Sequence, residues 1–285
     1  MPELPEVEVV RAGLEPALVG ARIDTVRVLD PRSLKRHDAR RGDFVGMLEG
    51  VTVLSAQRRG KFMWFPLDSG DALVTHLGMS GQVLLRDLDA PEDRHLRIQY
   101  TITHPRHGQL LVNFVDQRIF GSMAVDELVE QPSGFVPSQA AHIALDPLNE
   151  FFDDDAFITR LRKKSTGVKR ALLDQTLISG VGNIYADEAL WAAKIHGEKS
   201  ADSLSNAKAR ELLESVRSIL LKALAEGGTS FDEQYVNVNG ESGYFSHSLN
   251  AYGQQGKPCP RCGTPIRRVT FMNRGSHFCP KCQKK

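Results

Sequence analysis

The amino-acid sequence predicts an α+β protein: an N-terminal helix leads into an antiparallel β-sandwich, a helical domain follows, and a zinc finger closes the chain. Three observations carry this. Between residues 22 and 116, runs rich in valine, isoleucine and aromatic residues alternate with glycine-containing polar pieces. After residue 150 apolar residues recur at helical spacing instead. All four cysteines fall between Cys259 and Cys282, as two Cys-x2-Cys pairs separated by sixteen residues.

The first helical pattern is opened by Pro5 near its first turn and runs through LEPALVG to a stop at Gly20. The strand-like runs are RIDTVRVL, VTVLSAQ, KFMWFPL, ALVTHLGM, LRIQYTI and LLVNFVD. A stretch punctuated by Pro132, Gly134, Pro137 and Pro147 reads as the domain boundary. The expected division is therefore a sandwich domain over 1–130, a linker over 131–150, a helical domain over 151–250 and the finger over 251–285. In the helical part DDDAFITRLRKK, VKRALLDQTLIS, NIYADEALWAAKI and NAKARELLESVRSILLKALAEGG each carry a helical period, the last ending at Gly227. Between two of them, SGVGN (179–183) is a glycine turn able to offer backbone N–H groups to a phosphate, although most such turns only reverse the chain.

Composition excludes some classes. The first ten residues hold Glu3, Glu6 and Glu8 where a secretory signal needs a basic region and an apolar core, and no stretch of about 18 apolar residues follows. A soluble, cytoplasmic protein is expected, and the clustering of the cysteines argues against a secreted disulfide framework. The net charge of +1 conceals a strongly polarised tail. From Gly256 to Lys285 there are Lys257, Arg261, Arg267, Arg268, Arg274, Lys281, Lys284 and Lys285 and no acid, which suits a polyanion such as nucleic acid.

Four thiolates in paired knuckles match a closed tetrahedral zinc site, which leaves no open position for catalysis. One structural zinc would organise the hairpin-length spacer GTPIRRVTFMNRGSHF into a basic surface. At the other end, removal of Met1 would leave Pro2 with a free secondary amine. An α-amino group has a reference pKa of about 7.7–8.0, so part of it is neutral near pH 7 and able to attack a sugar C1′. Glu3 would then be within reach as a proton donor or acceptor. Taken alone, Pro2 simply follows Met1 and Glu3 simply suits a helix N-terminus.

PELPEVE, RRGKF, HLGMSG, DQRIFG, SGVGNIYADEAL, GGTSF and the four-cysteine finger occur in that order across nearly the whole chain. Together they resemble the bacterial formamidopyrimidine-DNA glycosylases, bifunctional repair enzymes for oxidised purines such as 8-oxoguanine. The resemblance implies a helix-two-turns-helix element in the helical domain, with duplex DNA held between the domains. It implies excision of 8-oxoguanine and formamidopyrimidines followed by β,δ-elimination at the abasic site.

Residue by residue, Pro2 matches the Schiff-base nucleophile and Glu3 the acid that assists opening of the deoxyribose. Lys61 matches a lysine of the lyase chemistry. Arg274 matches the finger arginine that grips phosphates at the lesion. Met79, Arg118 and Phe120 match a wedge that fills the gap left by a flipped nucleotide. His95, Lys169 and Asn183 match DNA contacts, the last two to phosphate. Without that resemblance Lys61 reads as a solvated strand lysine, and Met79 and Phe120 as core. Two positions depart from the family pattern, Ile119 and Ser165, where many relatives carry basic residues; each removes an ion contact to DNA. The expected partner is damaged double-stranded DNA, bound by a monomer. An endonuclease VIII-like enzyme for oxidised pyrimidines, or a non-catalytic damage-binding protein, stays open as an alternative. ELPEVE and the wedge weigh against the first, and the presence of Pro2 against the second.

Overall fold

The computed structural model describes residues 2–228, 238 and 244–285. They form two compact units. The first comprises 2–142 with 227, 228 and 238, and the second 143–226 with 244–285.

The first unit opens with α1 (Leu4–Leu18), which carries Pro5 in its first turn, where a missing N–H is harmless. Its buried stripe of Val7, Val10, Leu14 and Leu18 joins the core between two antiparallel sheets. One sheet has the order β1 (Arg22–Val28), β6 (Leu96–His104), β7 (Gly108–Asp116), β5 (Gly81–Arg86). The other has the order β2 (Gln57–Arg59), β3 (Phe62–Pro66), β4 (Asp71–His76), β8 (Ser122–Gln131), β9 (Gly134–Pro137). Ile98, Tyr100, Ile102, Val112 and Phe114 of the first sheet meet Met63, Phe65, Leu73, Met123 and Val125 of the second. A short helix α2 (Phe44–Leu48) adds Phe44 and Leu48 to this core.

VTVLSAQ forms only isolated bridges at Thr52 and Val53 before β2 begins at Gln57. Strands β5 and β8 fall outside the runs that read as strands. Strand β9, paired to β8 through Val129↔Val136, lies inside the stretch expected to be a linker. Pro137 is tolerated there because β9 ends an edge of its sheet.

The second unit holds α3 (Asp154–Arg162), α4 (Val168–Leu172), α5 (Asn183–Ala192) and α6 (Asn206–Ala225). Helix α4 is shorter than its apolar pattern because Asp174 turns the chain: its carboxylate accepts from Thr176 N and Oγ1. The turns through SGVGN then lead into α5, giving the helix-two-turns-helix element. Helix α6 ends with Glu226 and a left-handed Gly227 at φ 75°. Of the GGTSF segment only the two glycines are among the described residues; Thr229, Ser230 and Phe231 lie outside them, as does Met1. Strands β10 (Arg267–Phe271) and β11 (Arg274–Phe278) form the finger hairpin inside the same unit. No helix of the described residues is long and apolar enough to cross a membrane.

Candidate active site and nucleic-acid interface

Glu3 is the N-cap of α1, and Glu6 one turn on accepts the Glu3 backbone N–H at 2.8 Å. This seats the Glu3 side chain inward, 3% exposed. Facing it is Lys61, whose Nζ lies 3.2 Å from Glu3 Oε1. Lys61 occupies a two-residue turn between Arg59 and Phe62, allowed by Gly60 at φ 56°. The turn is tied to α1 by the Arg58–Glu8 pair at 2.9 Å, and Arg11 donates to Ala56 O at 3.0 Å.

Glu3 Oε2 is buried with no hydrogen-bond partner. Burial therefore outweighs the attraction of Lys61 and pushes the Glu3 carboxyl up to about 7, so near neutrality it holds a proton that an ordinary carboxyl has lost. Pro2, also buried, sits one residue before this cap at the positive end of the helix dipole.

His76 closes β4 opposite Phe62, with which its ring makes an edge contact at 4.9 Å. Its Nδ1 accepts from Gly78 N at 3.2 Å, leaving Nε2 to carry the ring proton. Burial first, then Arg36, Lys61 and Lys35, push its pKa down to about 4, so it is a neutral donor at pH 7. From the sequence alone His76 receives no role, although it opens HLGMSG, and neither do Lys35 or Arg36. The basic run Lys35-Arg36-His37 was the available signal.

Met79, Arg118 and Phe120, the residues expected to form a wedge, stand on two adjacent loops of the same unit. Met79 is 43% and Phe120 42% exposed, unusual for side chains of their size. The Arg118 guanidinium lies over the Phe120 ring, 4.4 Å from its centre. A Cβ on Gly78 (φ 66°) would come within 2.4 Å of the Phe120 carbonyl carbon, so only glycine lets the loops touch. Lys35 Nζ caps the second loop through Ile119 O and Phe120 O at 2.9 and 3.0 Å. His95 is half-buried at φ 67°, beside these loops, its carbonyl accepting from Asp116 N at 3.0 Å.

In the second unit Asn183 opens α5, and its Nδ2 donates to Gly275 O at 3.0 Å. Lys169 departs from the expected phosphate-facing position. It is fully buried, paired with Asp187 Oδ1 at 2.6 Å, with Gly275 O at 3.4 Å and the Phe271 ring at 4.8 Å. The reason is that Asp187 is itself 1% exposed and needs a cation, which Lys169 on the facing α4 supplies. Lys169 and Asn183 thus grip the carbonyl next to Arg274, and Arg274 itself is exposed where β11 begins. The preceding turn, Met272-Asn273, is left-handed at both residues (φ 45° and 59°), the conformation that joins two strands directly. Ser165 is exposed and Ile119 half-buried.

The four cysteine sulfurs all lie within 4.8 Å of one another. A tetrahedral zinc with Zn–S of about 2.3 Å sets sulfurs about 3.8 Å apart, so the cluster fits. Backbone and indole N–H groups already face the sulfurs: Trp191 Nε1 donates to Cys259 Sγ and Cys282 N to Cys279 Sγ, both at 3.4 Å. Apart from Ile266 and Trp191, little apolar material surrounds the site, so a structural zinc is what holds the finger.

Taken together, a buried proton-holding carboxyl at a helix start, two touching loops that expose Met79 and Phe120, and a basic four-cysteine finger define a DNA-processing protein. Comparison with known proteins gives the family. Residues 1–123 match the formamidopyrimidine-DNA glycosylase N-terminal domain, 143–234 the formamidopyrimidine-DNA glycosylase H2TH domain, and 256–285 the zinc finger found in FPG and IleRS. The chain belongs to the formamidopyrimidine-DNA glycosylase family. The Leifsonia xyli formamidopyrimidine-DNA glycosylase is 60% identical over 296 positions, covering all of both chains. That of a Nocardioides species is 57% identical, covering 99% of this chain and 94% of the relative. Among solved structures, Lactococcus lactis Fpg with an abasic-site DNA superposes with a TM-score of 0.83 at 34% identity, covering all of both chains. MutM with a carbocyclic 8-oxo-G DNA gives the same values.

Proposed function

We propose that this chain excises oxidised purines, 8-oxoguanine and formamidopyrimidines, from duplex DNA and cleaves the resulting abasic site by β,δ-elimination. The observation that carries this is Glu3: a buried carboxyl with one unpartnered oxygen, its pKa near 7, beside Lys61 and next to Pro2. With Met1 removed, the Pro2 nitrogen attacks C1′ as the base leaves. Glu3, half protonated at neutral pH, donates to the sugar ring oxygen as the ring opens. The resulting iminium acidifies C2′–H, and loss of that proton expels the 3′ phosphate; the conjugated iminium then acidifies C4′–H, and loss of this second proton expels the 5′ phosphate. Both the helix dipole and the Lys61 charge disfavour protonation of the Pro2 amine, which keeps it nucleophilic.

Met79, Arg118 and Phe120 fill the space of the flipped nucleotide, while His95, Asn183 and Arg274 meet the DNA; Lys169 acts from the interior by holding Gly275 beside Arg274. In this reading one structural zinc on Cys259, Cys262, Cys279 and Cys282 shapes the finger. Sandwich (1–130), linker (131–150), helical part (151–250) and finger (251–285) serve as functional divisions. The protein works as a monomer in the cytoplasm, where four thiols committed to one cluster stay reduced.

The test compares processed protein with a form carrying one extra residue before Pro2, on duplex containing 8-oxoguanine opposite cytosine. Borohydride should trap the processed form covalently, with peptide mapping placing the link at Pro2, and should not trap the extended form. Equal cutting and trapping by both would remove the terminal-amine mechanism and move suspicion to Lys61.

A further inference from the structure

Asp116 ends β7, is fully buried, and has three loops hung on it. Its Oδ1 accepts from Ser80 Oγ at 2.5 Å, from Arg118 N at 3.1 Å and from Ile119 N at 3.0 Å; its Oδ2 accepts from Gly121 N at 2.7 Å. Its own N–H donates to His95 O at 3.0 Å, and its carbonyl accepts from Arg97 Nε at 2.8 Å. Every DNA-facing residue assigned to this unit's loops is therefore within two residues of a group that Asp116 holds. Ser80 follows Met79, Arg118 and Ile119 precede Phe120, and His95 is held directly.

This carboxylate does more than end a strand. Ile119 stands at φ 55°, a conformation that β-branched residues avoid. Nothing in its own side chain favours that backbone, whereas three N–H groups of the 118–121 turn converge on one carboxylate. The turn is shaped from Asp116, and its shape puts Phe120 outward with Arg118 folded over the ring. Through Ser80 the same carboxylate sets how the Met79 loop lies against that turn.

We propose that Asp116 is the positioning residue of the wedge: one buried carboxylate, with Ser80 as its link, sets the Met79 and Arg118–Phe120 loops as a unit, while its backbone N–H holds His95 beside them, and thereby sets discrimination of the base opposite the lesion. The proposal rests on the reading of these loops as a wedge. Asp116 touches no substrate; it acts through the loops. A side chain that keeps its volume but offers N–H in place of one oxygen reverses one of these contacts, because an amide group would face the Gly121 or the Ser80–Ile119 donors.

The test uses the full zinc-loaded chain under single-turnover conditions on three duplexes: 8-oxoguanine opposite cytosine, 8-oxoguanine opposite adenine, and a ready-made abasic site. For Asp116→Asn, the preference for cytosine over adenine should fall at least threefold, and the rate of 8-oxoguanine excision at least tenfold more than that of abasic cleavage. Ser80→Ala, which unties only the Met79 loop, should lower the same preference, and the double variant should be no worse than Asp116→Asn alone, because both cut one link. Parallel losses on all three duplexes with the preference unchanged would mark Asp116 as a folding residue and overturn the proposal. If Asp116→Asn does not fold, Ser80→Ala decides, and a wild-type preference in that variant overturns it. Arg118→Ala is the control for the underlying reading: an unchanged preference there removes the wedge itself. A changed preference in Arg118→Ala with none in Asp116→Asn or Ser80→Ala removes the clamp alone.

Discussion

If Glu3 holds a proton in the folded chain near neutral pH, replacing it with glutamine should change how stability depends on pH. The carboxyl moves from 4.5 to about 7 on folding, so the folded state is the better proton binder. Its contribution is fully present below pH 4.5, declines by about 1.4 kcal/mol per pH unit as pH rises, and is lost above 7. The whole move, from 4.5 to about 7, corresponds to about 3 kcal/mol. His76 does the opposite. Its pKa falls from 6.5 to about 4 on folding, so its contribution is present above 6.5 and lost as pH falls through 4. Between pH 4.5 and 6.5 the two slopes oppose each other and cancel in the wild type.

Glu3→Gln removes one of them and exposes the other. Urea unfolding of the DNA-free protein at pH 4.5, 6 and 8 should show the variant gaining on wild type by about 3 kcal/mol from the lowest to the highest pH. Taking the difference between the two proteins removes every other titrating group. A difference that stays constant within about 0.5 kcal/mol would refute the reasoning, because it would mean that Lys61 keeps Glu3 ionised in the folded state. The same variant should lose base excision while keeping much of its DNA binding, since glutamine preserves shape and removes the proton.

Two further outcomes follow from the second unit. Chelation of zinc, or Cys262→Ala, should abolish DNA binding and shift the fluorescence of Trp191, whose indole N–H meets Cys259 Sγ. Full affinity without metal would remove the structural role, for which zinc supplies about 10–16 kcal/mol in isolated fingers. Lys169→Met should cost about 3–5 kcal/mol in urea unfolding, because it leaves Asp187 buried without its cation, yet leave the salt dependence of DNA affinity unchanged. A salt slope reduced by about 0.9 would instead return Lys169 to the phosphate contacts.

What could be read from sequence is what depends on neighbours in the chain. Strands such as Leu96–His104 carry alternating apolar residues, and the cysteine spacing states its own chemistry. Strand β8 hides because Asp126, Glu127 and Glu130 dilute its pattern. Asp126 is nonetheless buried, its carboxylate accepting from Ser138 Oγ and Gln139 N, a use visible only once β9 has folded beside it. Lys169 misleads for a similar reason, since its partner Asp187 comes within reach only through the packing of α4 on α5. Asp116 left a partial sign: an aspartate two residues before Arg118 suggests a side chain capping its own turn, but nothing local connects it to Ser80.

These buried carboxylates also explain where reactivity sits. Asp116 receives four hydrogen bonds. Asp187 receives the Lys169 ammonium, the Ser276 hydroxyl and the His277 N–H. Its neighbour Glu188 accepts the backbone N–H groups of Asn250, Ala251 and Tyr252, anchoring the chain that leads to the finger. A carboxylate whose oxygens are all taken by donors is held still, which suits a scaffold. Among the described residues two carboxylates keep a buried oxygen with no hydrogen-bond partner, Glu3 and Glu226, and of these only Glu3 is buried as a whole. Left short of donors, it is stabilised by retaining its proton, and the group the fold leaves unsatisfied is the one placed beside Pro2.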